Sequence, residues 1–146
     1  MTEKITIDDI IEEFEELTEW SDRCDYLIDL GFDLPELPEH AKTEANRVQG
    51  CQSNVWLISE IERSDPPIII LHAKSDSIIV SGLIVVLLAL YSGKTPAEII
   101  AIDPISIFKK LGLDRFLSRQ RRNGLHGMVR RVQELAVKAE TAKNLP

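Results

Sequence analysis

The sequence predicts an α+β fold in which helices pack against one small antiparallel sheet. Two amphipathic helical stretches open the chain, and three short β-rich runs lie between residues 48 and 72. From residue 76 onward the chain reads as helix, giving the order αα-βββ-α(n). At 146 residues it has the length of a single domain, expected over 1–146, whose core needs no disulfide or metal staple.

In the first helix, Ile7, Ile10, Ile11, Phe14 and Leu17 recur at helical spacing behind Thr6, a suitable N-cap. Ser21 opens a second helix, with Cys24, Leu27 and Ile28 on one face and Gly31 as its stop. Residues 31–47 contain Pro35 and Pro38, show little periodicity and read as an irregular surface loop. The strand candidates are Val48-Gln49, Val55 to Ile61 and Ile68 to His72, with a turn over Gly50–Ser53 joining the first two. A nearly all-apolar helix follows over 76–91 and ends at Gly93. Thr95-Pro96-Ala97-Glu98 is a capping box with proline at the first helical position. Asp103-Pro104 starts a short helix that Gly112 closes. The last helix follows Ser118 with an apolar stripe of Leu125, Met128, Val129, Val132, Leu135 and Ala136.

Seventeen Lys and Arg against twenty-four Asp and Glu give a net charge of −7, which argues against nucleic-acid or anionic-membrane partners. The charge is polarised: residues 1–30 hold eleven acids and two bases, residues 109–131 eight bases and one acid. The basic end, with Lys109, Lys110, Arg115, Arg119, Arg121, Arg122, Arg130 and Arg131, reads either as solvated helix surface or as a docking face. The opening MTEKITIDDI has no basic or apolar leader region, so no signal peptide is expected. The apolar run from Ile78 to Tyr91 is too short for a membrane span, which takes about 20 residues. A cytoplasmic protein is the expectation.

Candidate chemistry is sparse. His40, His72 and His126 lie on a loop, a strand and a helix without ligand spacing, so no metal site is expected. Of the two cysteines, Cys24 shares a helical face with apolar residues and reads as a small buried hydrophobe. Cys51 sits among polar residues at a turn, in Val48-Gln49-Gly50-Cys51-Gln52-Ser53. Gly50 permits a turn that presents the thiol, and Gln49, Gln52, Ser53 and backbone N–H groups are potential donors to a thiolate. Arg47 lies near enough in sequence to lower the thiol pKa. Local chemistry leaves two readings open, a reactive thiol or a solvent-facing one of no consequence. A Cys24–Cys51 disulfide also stays open, because sequence does not give their separation.

The segment Asn46-Arg47-Val48-Gln49-Gly50-Cys51-Gln52-Ser53-Asn54-Val55-Trp56-Leu57 resembles the signature of the SufE/CsdE family of cysteine-desulfurase sulfur acceptors. Leu34-Pro35-Glu36-Leu37, Ser75-Asp76 with Ile79-Val80-Ser81-Gly82-Leu83-Ile84, and Ser118-Arg119 with Arg121-Arg122-Asn123-Gly124-Leu125 agree with it in order and spacing, over roughly residues 7–137. The resemblance implies a SufE/IscU-like fold. It also implies a sulfur carrier that takes persulfide sulfur onto Cys51 from a PLP-dependent desulfurase of the SufS/CsdA type, stimulates that enzyme, and delivers sulfur to a SufBCD-type iron–sulfur scaffold. Such a protein is not a stand-alone enzyme and holds no cofactor of its own. The resemblance further implies a Cys51 that rests partly buried and swings out in the complex. Arg119 matches a family arginine near the loop, with an anion-stabilising role, and Asp76 matches a family acid at the start of the long helix. Gly50, Gln52 and Ser53 complete the supporting set. Where the family often carries an acid, this chain has Lys74. The alternatives are a module that activates the desulfurase without carrying sulfur and an iron–sulfur scaffold, which needs several ligands.

Overall fold

The computed structural model describes residues 5–143. The first residues of the acidic N-terminal stretch and the two ends of the expected single domain lie outside the described residues. The elements are α1 (Ile7–Glu16), α2 (Trp20–Phe32), a 3-10 turn (Glu39–Ala41), β1 (Val55–Glu62), β2 (Ile68–Ser75), α3 (Ile78–Tyr91), α4 (Pro96–Ala101), α5 (Pro104–Lys110), α6 (Leu113–Phe116) and α7 (Arg119–Lys143). Helix α3 is the centre of the fold: α1, α2, β2 and α7 all pack on it. It is buried on nearly every side, as its uninterrupted apolar sequence requires.

The helix starts follow local chemistry. Thr6 and Thr95 each form a reciprocal capping box, with Asp9 and Glu98 respectively. Asp103 accepts from the N–H groups of Ile105 and Ser106, and Ser77 caps α3 through Val80 N–H. Ile10 and Phe14 of α1, Leu27 of α2 and the stripe Leu125, Met128, Val129, Val132 and Ala136 of α7 join one hydrophobic cluster, with Leu135 packed against it.

Several expectations are corrected. The sheet has two antiparallel strands, not three, in a register that pairs Val55 with Ser75 and Glu62 with Ile68. The segment Val48-Gln49 contributes only the bond from Val48 N–H to Val55 O (2.8 Å), next to a single bridge between Arg47 and Trp56. Beyond Val48 the chain leaves the sheet for α7, which ends the ladder. On the opposite edge Lys94 makes another single bridge, to Ile69. Strand β2 runs past His72 to Ser75, because Ala73 and Ser75 pair across to Leu57 and Val55 despite weak β propensity. Residues 31–47 are less exposed than a surface loop: Leu34, Leu37 and Ala41 are buried, and Lys74 ties the segment down through Leu34 O and Glu36. Lys74 thus has a job of its own in this chain. Helix α6 was not legible; stacking of Phe116 on Trp20, centroids 5.1 Å apart, fixes it to α2.

Gly31 does not stop α2. It lies within the last turn, buried against α3, where an added Cβ would sit 2.7 Å from Gly82 N. The paired glycines let the two helices approach until backbone meets backbone. Cys24 and Ile28 are half-buried and lie outside the main hydrophobic cluster, whereas Leu27 and Gly31 are buried. Cys24 is therefore not the core residue its helical spacing suggested, and both cysteines are free thiols. No helix among the described residues is long and apolar enough to cross a membrane. Replacing Gly31 with Ala forces α2 and α3 apart, and the expected cost is about 1–3 kcal/mol in denaturant unfolding despite the better helix propensity of alanine. Unchanged stability would contradict the close helix contact.

Candidate functional site

The loop from Arg47 to Asn54 is built between the sheet edge and α7. At its base Val48 N–H bonds to Val55 O and Leu57 N–H to Asn46 O (2.9 Å). Asp76 accepts from the backbone N–H of Asn54 (3.1 Å) and from its side-chain amide (3.0 Å), and Asn54 Oδ1 accepts from Arg47 (3.3 Å). Asp76, Asn54 and Arg47 therefore clamp both ends of the loop. From the far side, Arg131 donates to Ala45 O (2.7 Å) and Asn46 to Ala41 O (2.8 Å).

Inside the clamp, Gly50 adopts a φ of 90°, the left-handed conformation that glycine takes without a steric penalty. The turn lays Gln49 and Cys51 against a smooth patch of α7. A Cβ on Gly127 would lie 2.5 Å from Gln49 O, and one on Gly124 would lie 3.4 Å from Cys51 Sγ. The thiol points at the helix and donates to Gly124 O over 3.4 Å.

Cys51 is half-buried and opens into a cavity of about 340 Å³ between the loop, α3 and α7. Its walls are apolar at Val80, Leu83, Leu125 and Met128, and polar at Gln52, Ser53, Ser77, Ser118, Gln120 and Arg121. Two helix starts border it. Ser77 caps α3, and Ser118 Oγ accepts from Arg121 N–H at the start of α7 (3.3 Å). Positive helix ends favour an anion there. Burial pushes the Cys51 pKa above its ordinary value, and the Arg47 guanidinium pulls it part of the way back. At rest the thiol is held protonated, with charges in place that favour the anion once it forms.

The sequence-derived residues do not all meet here. Gln52 and Ser53 line the cavity beside the thiol and Gly50 sets the turn before it, while Asp76 acts from the loop base. Arg119 is exposed and lines a neighbouring cavity, and Arg121, two residues on, reaches the Cys51 cavity instead. Among the described residues neither arginine has an ion-pair partner, whereas Arg122 and Arg131 are engaged with backbone carbonyls. Asn54 and Gly124 stand in the motifs above without an assigned role and Gly127 in none; two glycines three apart inside a long helix are the signal for the last two. No group of three or more His, Cys, Asp or Glu among the described residues could hold a metal ion.

Alkylation of Cys51 requires thiolate, so its rate rises with pH along a titration displaced above that of an ordinary thiol, near 8.5. Arg47→Gln removes the attraction to the anion and moves that midpoint further up; an unmoved or lower midpoint would show that Arg47 does not act on the thiol. Asp76→Ala loosens the clamp, with an expected rise of roughly three- to tenfold in alkylation rate, the effect of about 0.7–1.4 kcal/mol of lost hydrogen bonding.

Comparisons with known proteins place the chain in a family. Residues 8–136 match the SufE family, described as an Fe–S metabolism associated domain. An uncharacterized SufE-like protein of Rhizobium meliloti is 46% identical over 132 residues, covering 90% of this chain and 94% of that one. Another from Rhizobium etli is 47% identical over 133 residues, with 90% and 89% covered. The solution structure of a hypothetical protein from Thermus thermophilus superposes with a TM-score of 0.73 at 22% identity, covering 92% of this chain and 96% of that one, which supports the fold alone. The family match across residues 8–136 and the two relatives at 46% and 47% identity show that the chain belongs to the SufE family and thereby to iron–sulfur metabolism.

Proposed function

We propose that the protein is a cytoplasmic sulfur acceptor, with Cys51 taking the sulfane sulfur of a persulfide formed on a PLP-dependent cysteine desulfurase. The supporting observation is a half-buried, free thiol on a clamped loop beside a cavity of about 340 Å³, bordered by two helix starts and Arg121.

The transfer is a thiolate displacement. The Cys51 thiolate attacks the terminal sulfur of the donor persulfide. A new bond forms from Cys51 Sγ to that sulfur, the donor S–S bond breaks, and the donor cysteine leaves as a thiolate. The proton lost by Cys51 passes to solvent. Arg47 and the helix ends stabilise the anion on either sulfur, with Gln52 and Ser53 as further donors and Asp76 holding the loop. Arg121, which lines the cavity, takes the close anion-stabilising position, and Arg119 acts from the adjoining surface. Burial shelters the bound sulfur from small reductants and oxidants until an iron–sulfur scaffold of the SufBCD type receives it. Binding also stimulates the desulfurase by removing sulfur from its cysteine.

Incubation with a cysteine desulfurase and cysteine, followed by intact-mass spectrometry, tests this reading. The expected product is a reducible adduct of about 32 Da, one sulfur atom, that maps to Cys51 and is missing in Cys51→Ser. No adduct, with desulfurase turnover still stimulated, would replace this reading with that of an activating module that carries no sulfur. Neither adduct nor stimulation would refute both.

A further inference from the structure

The cavity beside Cys51 is far larger than the one sulfur atom that a persulfide would place there. Its volume is about 340 Å³. A sulfur atom is close in size to a water molecule, whose share of liquid volume is about 30 Å³. The lining divides by chemistry. Leu83, Leu125 and Met128 are buried and Val80 is half-buried, and together they form an apolar, polarizable floor that includes a thioether. Gln52, Ser118, Gln120 and Arg121 are exposed and form the mouth. Among the described residues Arg121 is the only charged side chain in the lining.

Such a lining suits an apolar, polarizable body that ends in one negative charge. A free amino acid or small peptide thiol would bring an ammonium group, for which the lining offers no acid. A chain of sulfane sulfur on Cys51 meets both conditions. Its inner sulfurs are neutral and polarizable, and its terminal sulfur carries the charge. The starting geometry also suits it. Cys51 Sγ donates to Gly124 O over 3.4 Å, and both residues line the cavity. Once S–H is replaced by S–S, that hydrogen bond is lost and the added sulfur has the cavity beside it. Each further sulfur lengthens the chain by about 2 Å of S–S bond.

We infer that Cys51 carries a polysulfide of two or more sulfane sulfurs, its inner sulfurs on the apolar floor and its terminal sulfur at the mouth beside Arg121. The inference rests on the sulfur-acceptor reading for the identity of the donor. In the added step the terminal sulfur of the Cys51 persulfide, as its anion, attacks the terminal sulfur of a second donor persulfide. A new S–S bond forms between these two sulfurs, the donor S–S bond breaks, and the donor cysteine leaves as a thiolate. The persulfide proton passes to solvent, and no oxidant or reductant is consumed. The smallest clusters of the [2Fe–2S] type contain two sulfides, so one loaded carrier brings enough sulfur for one of them.

Chain length is read by intact-mass spectrometry after loading by a cysteine desulfurase with cysteine in excess. Adducts of about 64 Da and above, mapped to Cys51 and released by reductant, are expected beside the single-sulfur adduct of about 32 Da. Val80→Phe narrows the cavity, so the ratio of longer adducts to the single-sulfur adduct should fall several-fold. Gln120→Trp, at an exposed position in the mouth, replaces that variant if Val80→Phe does not fold. A single-sulfur adduct alone, however long the donor is supplied, would overturn the inference and leave the sulfur-acceptor reading standing. An unchanged ratio in the folded variant would overturn it as well, because the chain would then lie outside the cavity. If the desulfurase yields no adduct, the sulfur-acceptor reading falls, and sodium tetrasulfide serves as the donor instead. Longer adducts on Cys51 with the same dependence on the variant are then expected, and their absence or an equal ratio would overturn the inference.

Discussion

The close approach of the Cys51 loop to helix α7 is the contact on which the site depends. It exists because Gly124 and Gly127 remove side chains where Gln49 O and the thiol come down on the helix. Alanine would be favoured at both positions by helix propensity alone, at roughly 1 kcal/mol each, so glycine is here a sacrifice of local stability for proximity. The adjoining face of α7 is fixed in the core by Leu125, Met128 and Val132, so the thiol is referenced to the core rather than to a free loop tip. The same device joins α2 to α3 through Gly31 and Gly82. Glycine contacts thus set both the scaffold and the site.

Electrostatics at the thiol are balanced between two opposing effects. Burial disfavours the thiolate, while Arg47 and the starts of α3 and α7 favour it. The proposed sulfur transfer benefits from this balance, since a fully exposed thiolate reacts with any electrophile it meets and a deeply buried thiol reacts with none. The clamp of Asp76, Asn54 and Arg47 sets how readily the loop leaves α7. It also couples Arg47 to the loop base, so displacement of the loop alters both exposure and charge.

Much of the fold was legible in the sequence because it rests on local rules. The caps at Thr6, Thr95 and Asp103 and the apolar run of α3 need only neighbours within a turn. The polar setting of Cys51 after Gly50 marked the loop in the same way. What was not legible depends on distant partners. Val48-Gln49 has strand-like composition, yet α7 draws the chain away after a single bridge. Gly31 resembles a helix stop until Gly82 faces it, and Ala73 to Ser75 belong to a strand only because Val55 to Leu57 lie opposite. Arg119 and Arg121 are indistinguishable as residue types. Their separation between two cavities follows from helical rotation at the start of α7, where two positions point to different sides.

The central claim is that the fold shelters Cys51 while keeping it competent to react. The most direct measurement compares the alkylation rate of Cys51 in the folded protein with that of a free peptide spanning residues 47–54, at one pH near neutrality. The account predicts a rate in the protein several times lower, recovering toward the peptide rate when the chain is unfolded in denaturant. Equal rates in the folded protein and the peptide would contradict it, because the contact with α7 would then neither bury the thiol nor hold its proton.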